Sequence, residues 1–535
     1  MSGRLIETGR QLALGMADSL VTMPLLRWTW RGQGDVAFAG DLPDFRPSDR
    51  DAVREMMSGR YLLASKLFET GGASPFSLDV DHPDWWNNLH SFSWLRHFRD
   101  VRDPGEKLFA RTLVLDWIGR EGQFEHDSWT LTLTAQRVLN WLRHLTLLLN
   151  GANPDQARTI QRSLGTQVQS LRVRGPLAAD PVETLFAAIG LLGAELCNVA
   201  DLPDIDNAVT RLDAVLARQL DGDGMHLSRN PRLQLSLLTE LTSLKRAVGR
   251  HASPAMAELC NRIDRMHEAL DALTLSSGEL VYFNGCGQVP HDILVAVQAN
   301  GPAASRHSRL LGGYGIVRAG ESVVIADSGQ RPPAGFDIEA HAGALAFEFA
   351  HGSELIVGSC GPAPSDMPES RSLFRQGIAH SAPTIDAADA LPRKGNAVPA
   401  MSLDSAEHML ALTSNGYAGA FGAEIERRLT LLAEGTTLVG QDRIIANAEA
   451  PHGRLALRFH LGPGIMVRRM AGDGIARLVL PNGQVWSFLW EGAMFHAEDS
   501  VRQSAYLSFH RTSQLVLEAD VAPGAEVAWI FTLEQ

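Results

Sequence analysis

The first half of the chain repeats apolar residues at every third or fourth position. The runs Glu106–Arg120, Leu131–Leu149, Pro154–Arg172, Pro181–Asn198, Asp204–Leu220, Arg232–Gly249 and Pro254–Leu273 share this period, and each predicts a helix. Pro and Gly punctuate them and the connections are short, which suggests an antiparallel helical array. Near residue 300 the period falls to two. Gly301–His307 is a small, polar linker. Short alternating runs follow, among them Gly315–Val317, Ser322–Ala326, Met409–Thr413, Thr437–Ile444, Arg454–Leu461 and Val527–Thr532, separated by Gly, Asn, Asp and Pro. Many short strands without intervening helices predict a large antiparallel β-sandwich. The expected division is therefore a helical domain over 1–300 and a sandwich over 301–535. Asp366–Ala400, rich in Pro, Ala and Asp, reads as a long surface loop.

A chain of 535 residues is too long for one ordinary domain. Its net charge of −13 disfavours nucleic acid as a partner, because phosphate binding needs a basic surface. An anionic sugar is still compatible, since a local arginine cluster can override the net charge. The four cysteines, Cys197, Cys260, Cys286 and Cys360, lack CxxC spacing, which argues against a zinc knuckle or a disulfide framework. Met1–Leu26 has apolar residues at helical spacing but no continuous apolar core of a signal peptide. No run is long enough to span a bilayer. The expected compartment is the cytoplasm, with the periplasm as the alternative through an export route that leaves no such signal.

Two stretches carry candidate chemistry. Asp221–Pro231 lies between two helical runs, with Gly222 and Gly224 as breakers and Asn230 and Pro231 as a helix start. It presents His226, Ser228, Arg229 and Asn230: a proton-transfer group, a fixed cation and an amide. That set suits a site that holds a carboxylate and moves a proton; the other reading is a capped loop with a solvated arginine. Earlier in the chain, Trp85, Trp86 and Trp94 flank Asn87-Asn88-Leu89-His90. Indoles beside amides can form a stacking platform for sugar rings, or a buried aromatic knot.

Taken together, several segments resemble the heparinase II/III-like polysaccharide lyases. They are Asn88–Phe92 with Trp94-Leu95, Arg137–Trp141, Asp223–His226, Ala340–Glu348, Ala379–Ser381, Asn415–Tyr417, Glu426–Leu429 and Leu457–Leu461. The resemblance implies an incomplete (α/α) toroid followed by an antiparallel β-sandwich, with a site in the cleft between them. It implies β-elimination on a uronic-acid polysaccharide: donors neutralise the carboxylate, a Tyr or His removes the C5 proton, and an acid protonates the leaving oxygen. No redox cofactor is needed.

The chain departs from the lyase pattern at three places. A Gly-Asn-His segment is replaced by Arg174–Asp180, so the carboxylate-holding Asn is missing. The catalytic Tyr position is Leu233, within Asn230-Pro231-Arg232-Leu233-Gln234. A His-x-His pair retains only its second member, His341, in Glu339-Ala340-His341. A rebuilt lyase site would use His226, Arg229, Asn230, His90 and Tyr282, with Trp85, Trp86, Asn88, Arg137 and Glu339 contacting an acidic poly- or oligosaccharide. The alternatives are a non-catalytic glycan-binding protein of exopolysaccharide production or turnover, and a glycoside hydrolase using Glu339 and Asp223. The family's sandwich zinc would fall to His341, His380 and, in place of the missing Asp, Cys360; the other reading is a pair of hydrogen-bonded core histidines.

Overall fold

The structure, a computed structural model, describes residues 13–23, 38–122, 124, 127–199, 204–249, 254–390, 400–446, 451–469, 474–505 and 508–534. The first twelve residues of the amphipathic N-terminus, Trp28, Trp30 and positions 391–399 of the expected loop lie outside them. By contacts the chain forms two compact units. The first comprises residues 1–220, 236–265 and 292–301; the second comprises 221–235, 266–291 and 302–535. The division is therefore not a single cut near residue 300. The central loop, within 221–235, and one further segment of the first half, 266–291, belong with the β-rich part.

The first unit is helical. Its helices are α1 (residues 13–21), α2 (Arg50–Met57), α3 (Pro83–His90), α4 (Pro104–Glu121), α5 (Leu131–Arg143), α6 (Leu145–Leu149), α7 (Pro154–Arg174), α8 (Pro181–Leu196), α9 (Ile205–Gln219), most of α10 (Pro231–Val248), most of α11 (Pro254–Ala272) and α12 (His291–Gln298). Pro at the first position of α3, α4, α7 and α8, behind a capping His, Asp or Asn side chain, fixes where each begins. The predicted run Leu131–Leu149 is broken at His144, which leaves helical geometry (φ −132°) with its ring 3.3 Å from Asp44. Helices α5 and α8 approach closely because α8 carries Gly190 and Gly193. A Cβ at Gly193 would fall 2.6 Å from a Leu139 methyl. A small hairpin, β1 (Arg60–Leu63) with β2 (Lys66–Glu69), is the one strand pair described in this unit.

The second unit holds two antiparallel sheets. One runs β14 (Met466–Arg469), β15 (Ile475–Val479), β16 (Val485–Glu491), β19 (Glu526–Leu533), β12 (Thr437–Ala446), β11 (Ala423–Leu432), β10 (Met409–Ser414), β9 (Ala400–Asp404). The other runs β17 (Met494–Ser504), β18 (Ser508–Asp520), β13 (Arg454–Leu461), β7 (Glu354–Gly358), β6 (Phe347–His351), β5 (Ser322–Asp327), β4 (Tyr314–Ala319), β3 (Arg309–Leu311), with β8 (Pro383–Ile385) paired to β13. Alternate residues explain why β4 to β6 read as nearly continuous apolar runs. Val317, Val324, Ala326, Phe347 and Phe349 join the core between the sheets. Tyr314, Ile316, Val323, Ile325 and Ala350 join a second core with Met225, Leu273 and Phe283. Both faces of this sheet are covered, the second by the segments around residues 225 and 266–291. The architecture is that of a helical toroid plus a β-sandwich.

Within the sandwich, the fully buried Arg427 and Asp442 face each other on β11 and β12, with Nε to Oδ1 at 2.6 Å and Nη2 to Oδ2 at 3.1 Å. Arg427 Nη1 also donates to the carbonyls of Leu345 and Ser381, and Trp529 Nε1 donates to Asp442 at 2.9 Å. Asp442→Ala would leave a buried guanidinium uncompensated. It is expected to cost about 3–5 kcal/mol in denaturant unfolding; a loss under ~1 kcal/mol would show that the pair is not a structural tie.

Candidate functional site

The central loop is built by short-range hydrogen bonds. Asp221 accepts from the backbone N–H groups of Asp223 and Met225, each at 2.9 Å, and Gly224 supplies a left-handed turn (φ +85°). Gln234, on the first turns of α10, accepts from His226 N–H at 3.1 Å and donates to the Gly224 and Met266 carbonyls. The His226 ring is fully buried. Its Nδ1 accepts from Ser228 N–H (3.1 Å) and lies 2.8 Å from Ser228 Oγ. Burial depresses its pKa to about 4. Asn230 caps α10: its Oδ1 accepts from Arg232 and Leu233 N–H.

Arg229 adopts φ +56°, which points its guanidinium into the sandwich unit. Nε donates to Gly312 O (2.8 Å), Nη2 to Gly313 O (2.9 Å) and Asp327 Oδ1 (2.8 Å), and Nη1 to Gln330 O. Its carbon lies 4.3 Å from the centre of the Tyr314 ring, and Tyr314 Oη donates back to Arg229 O. Gly313 has to be glycine, because a Cβ there would fall 2.9 Å from Nη2. Burial disfavours the charge and is the largest single influence, but the Asp327 carboxylate, together with Tyr314 and Asp221, outweighs it and raises the Arg229 pKa. Asn284 completes the cluster, donating to Tyr314 Oη (2.7 Å) and to Asp327 Oδ2 (3.4 Å) and accepting from His341 N–H (3.2 Å).

Four other groups of contacts hold the remaining candidates of this unit. Tyr282 is buried under Arg502, whose guanidinium lies 3.6 Å from the ring centre, and burial raises its phenol pKa. Its N–H donates to Glu348, whose carboxyl burial pushes up to about 7. Glu339 forms an exposed ion pair with Arg371. His341 and His380 lie with ring centres 5.0 Å apart. Cys360 turns its sulfur to His460 Nδ1 (3.6 Å) and Ser500 Oγ (3.9 Å), and burial raises the thiol to about 11.

His380 Nδ1 and Nε2 and His341 Nδ1 are buried without hydrogen-bond partners, as two ligands of a metal would be. A third is lacking: among the described residues no group of three or more His, Cys, Asp or Glu is arranged to hold an ion. The donor set does not fit a zinc held by three protein ligands.

The remaining candidates lie together in the helical unit, where each is tied into the core. Trp85 is fully buried and donates to Tyr61 O at 3.1 Å. Trp86 stacks on His90 at 4.1 Å, and His90 Nδ1 accepts from Trp117 Nε1 at 3.2 Å. Asn88 bonds Asp84 O and Ser93 Oγ. Arg137 is fully buried, donating to Gln167 and to the His90 and Ser128 carbonyls while its guanidinium covers Trp117 at 4.2 Å. A fully buried indole and guanidinium cannot touch a sugar, so for Trp85 and Arg137 the substrate-contact expectation gives way to the aromatic knot.

Residues 302–530 match the family described as heparinase II/III-like, C-terminal. The chain carries a heparinase II/III-like C-terminal region over those residues. Its fold is similar to that of heparinase III (TM-score 0.68, 13% identity, covering 95% of this chain and 88% of that one). It is also similar to heparan sulfate lyase HepC of Pedobacter heparinus (TM-score 0.61, 14% identity, 92% and 84%). Among curated proteins it is similar to FtsZ-localized protein C of Caulobacter vibrioides, 27% identical over 94% of this chain and 93% of that one. Leu233, where the resemblance to the lyases places a tyrosine, is an aliphatic residue just inside α10.

Sequence reasoning missed Asp327, Asn284 and Tyr314, the partners that fix Arg229. The available signal was a carboxylate ending an otherwise apolar strand, Ser322–Asp327, which needs a buried partner.

The buried imidazoles make a pH prediction. His226, His380 and His460 have folded pKa values of about 4, 3 and 4, all through burial. Their unfolded value is about 6.5. Folded values below unfolded ones mean that the stabilisation is complete above about pH 6.5 and is lost as pH falls toward 4. Glu348, raised to about 7, opposes this, losing its contribution as pH rises from about 4.5 to 7. Three groups outweigh one, so the unfolding temperature should drop between pH 7 and pH 4.5. His380→Phe should flatten that drop; an unchanged slope would show that His380 does not carry it.

Proposed function

We propose that this chain is a lyase-fold protein that acts by binding rather than by β-elimination. The observation that carries this reading is the condition of Arg229. The cation nominated for a substrate carboxylate donates through Nε, Nη1 and Nη2 to its own protein and is neutralised by Asp327. The proton-transfer groups are in a similar state: Leu233 replaces the phenol, Tyr282 is buried with a raised pKa, and His226 is held neutral in the core. An acidic glycan is the ligand class that the family suggests. The likeness to a protein named for its localisation to FtsZ, across nearly the whole of both chains, suggests a setting alongside FtsZ. The cytoplasmic placement belongs to the same proposal.

One observation keeps elimination as a second reading. Asn230 Nδ2, beside Gly285 and Glu339, makes no hydrogen bond among the described residues and could still present a donor to a carboxylate. The two readings separate when purified protein is exposed to a panel of uronate-bearing and neutral polysaccharides. Ultraviolet absorbance of unsaturated uronides and reducing ends are recorded together, with binding measured on the same panel. The expected result is no new absorbance and no new ends, with retention of an acidic member. Absorbance that rises with protein concentration and is lost in Asn230→Ala would replace the binding reading with the lyase reading.

A further inference from the structure

The open end of the β3–β4 hairpin gathers three guanidiniums. Arg309 pairs with Ile316, and Arg318 lies two residues further along β4, so both arginines share the face on which Ile316 joins the second core. The end of α11 lies over that face. Arg309 Nη2 donates to Glu268 O at 2.5 Å, and Arg318 Nη2 donates to Ala272 O at 3.3 Å and Thr274 O at 3.0 Å. Cations suit the negative end of a helix, which accounts for two of the three. Arg318 N–H donates to Ser308 Oγ at 3.0 Å, and this bond holds the linker that carries the exposed Arg306 beside Arg318.

Unlike Arg229, these arginines keep donors to spare. Helix capping uses one nitrogen each of Arg309 and Arg318, and the Nε atoms of both are buried without a hydrogen-bond partner. Among the described residues none of Arg306, Arg309 and Arg318 forms an ion pair. Burial lowers the Arg318 pKa, the charges of Arg306 and Arg309 lower it further, and the Asp271 carboxylate opposes them. Three cations against that carboxylate leave two positive charges unbalanced, in a chain of net charge −13. A phosphate dianion fits the excess: it carries about −1.5 to −2 charge at pH 7 and three acceptor oxygens, which guanidinium forks match. A uronate or a sulfate ester carries a single charge and leaves part of the excess. A nucleic acid needs a longer basic surface.

We propose that Arg306, Arg309 and Arg318 form an anion site on the second unit that takes a phosphate dianion, free or terminal on a small phosphomonoester. Arg229 meets the same hairpin at its other end, the Gly312-Gly313 turn, so the two arginine sites are distinct. The anion site is independent of whether the chain cleaves or binds a glycan.

The test is calorimetric titration of the full chain with phenyl phosphate, inorganic phosphate and phenyl sulfate. Phenyl phosphate should bind saturably, and phenyl sulfate, which keeps the ring and loses a charge, about tenfold more weakly or worse. Inorganic phosphate bound as tightly as the ester assigns the site to the free ion, and tighter binding of the ester assigns it to a phosphomonoester; either upholds the site. The Arg306 side chain makes no hydrogen bond within the described residues. Arg306→Glu should therefore leave thermal unfolding unchanged while lowering phenyl phosphate affinity about tenfold or more. Arg511→Glu, the same charge change at an exposed position of β18, should bind like wild type. Wild type without saturable binding, phenyl sulfate bound as tightly as phenyl phosphate, or Arg306→Glu that binds like wild type overturns the proposal. So does Arg511→Glu that weakens binding as much as Arg306→Glu, since the anion then senses only net charge.

Discussion

The second unit depends on a buried cation placed in a loop. Arg229 leaves the helix connection in a left-handed conformation and enters a cage of the Gly312, Gly313 and Gln330 carbonyls, the Asp327 carboxylate and the Tyr314 ring. A guanidinium with this many fixed acceptors imposes geometry on all of them. It joins the segment before α10 to the ends of β4 and β5, positions Asn284 through Asp327, and through Asn284 the backbone of His341. On the proposed reading the same bonds close the site to elimination chemistry, because a cation satisfied within the protein has little to offer a substrate carboxylate. One interaction thus explains both the fold around the loop and the proposed change of role.

The helical half was legible because its signal is redundant. An amphipathic period, a Pro at the first position and a side-chain cap agree for α4, α7 and α8. The failures have causes outside the local sequence. His144 divides a continuous pattern because Asp44 holds its ring, a contact between residues a hundred positions apart. Helix α3 is short and owes its place to tertiary packing: Trp85 and His90 face the aromatic core while Asn87 and Asn88 weaken the period. In the sheets, β4 to β6 were visible as apolar runs. The long β17–β18 hairpin was not, since His496, Glu498 and Asp499 of β17 are exposed along an edge strand that buries little.

The candidate site was legible in part. The loop with its glycines and the capping Asn is where the sequence puts it, and the family resemblance is matched over residues 302–530. The direction in which Arg229 points is not local information. It is set by Asp327, 98 residues away, and by two glycines whose lack of a side chain matters only once the cage is assembled. Aromatic and basic residue types alone could not separate Arg137 and Trp85 as core from Arg137 and Trp85 as sugar contacts, because both roles use an indole beside a guanidinium.

The claim that Arg229 is a structural cation is tested most directly by a double-mutant cycle in denaturant unfolding, with Arg229→Met, Asp327→Leu and both together. A buried pair predicts a loss of about 3–5 kcal/mol for each single change, since each strands the other charge. It also predicts a double variant well short of the sum, by on the order of 2 kcal/mol or more. Single variants within about 0.5 kcal/mol of wild type, with additive effects, would contradict it and return Arg229 to the role of a cation available to a ligand.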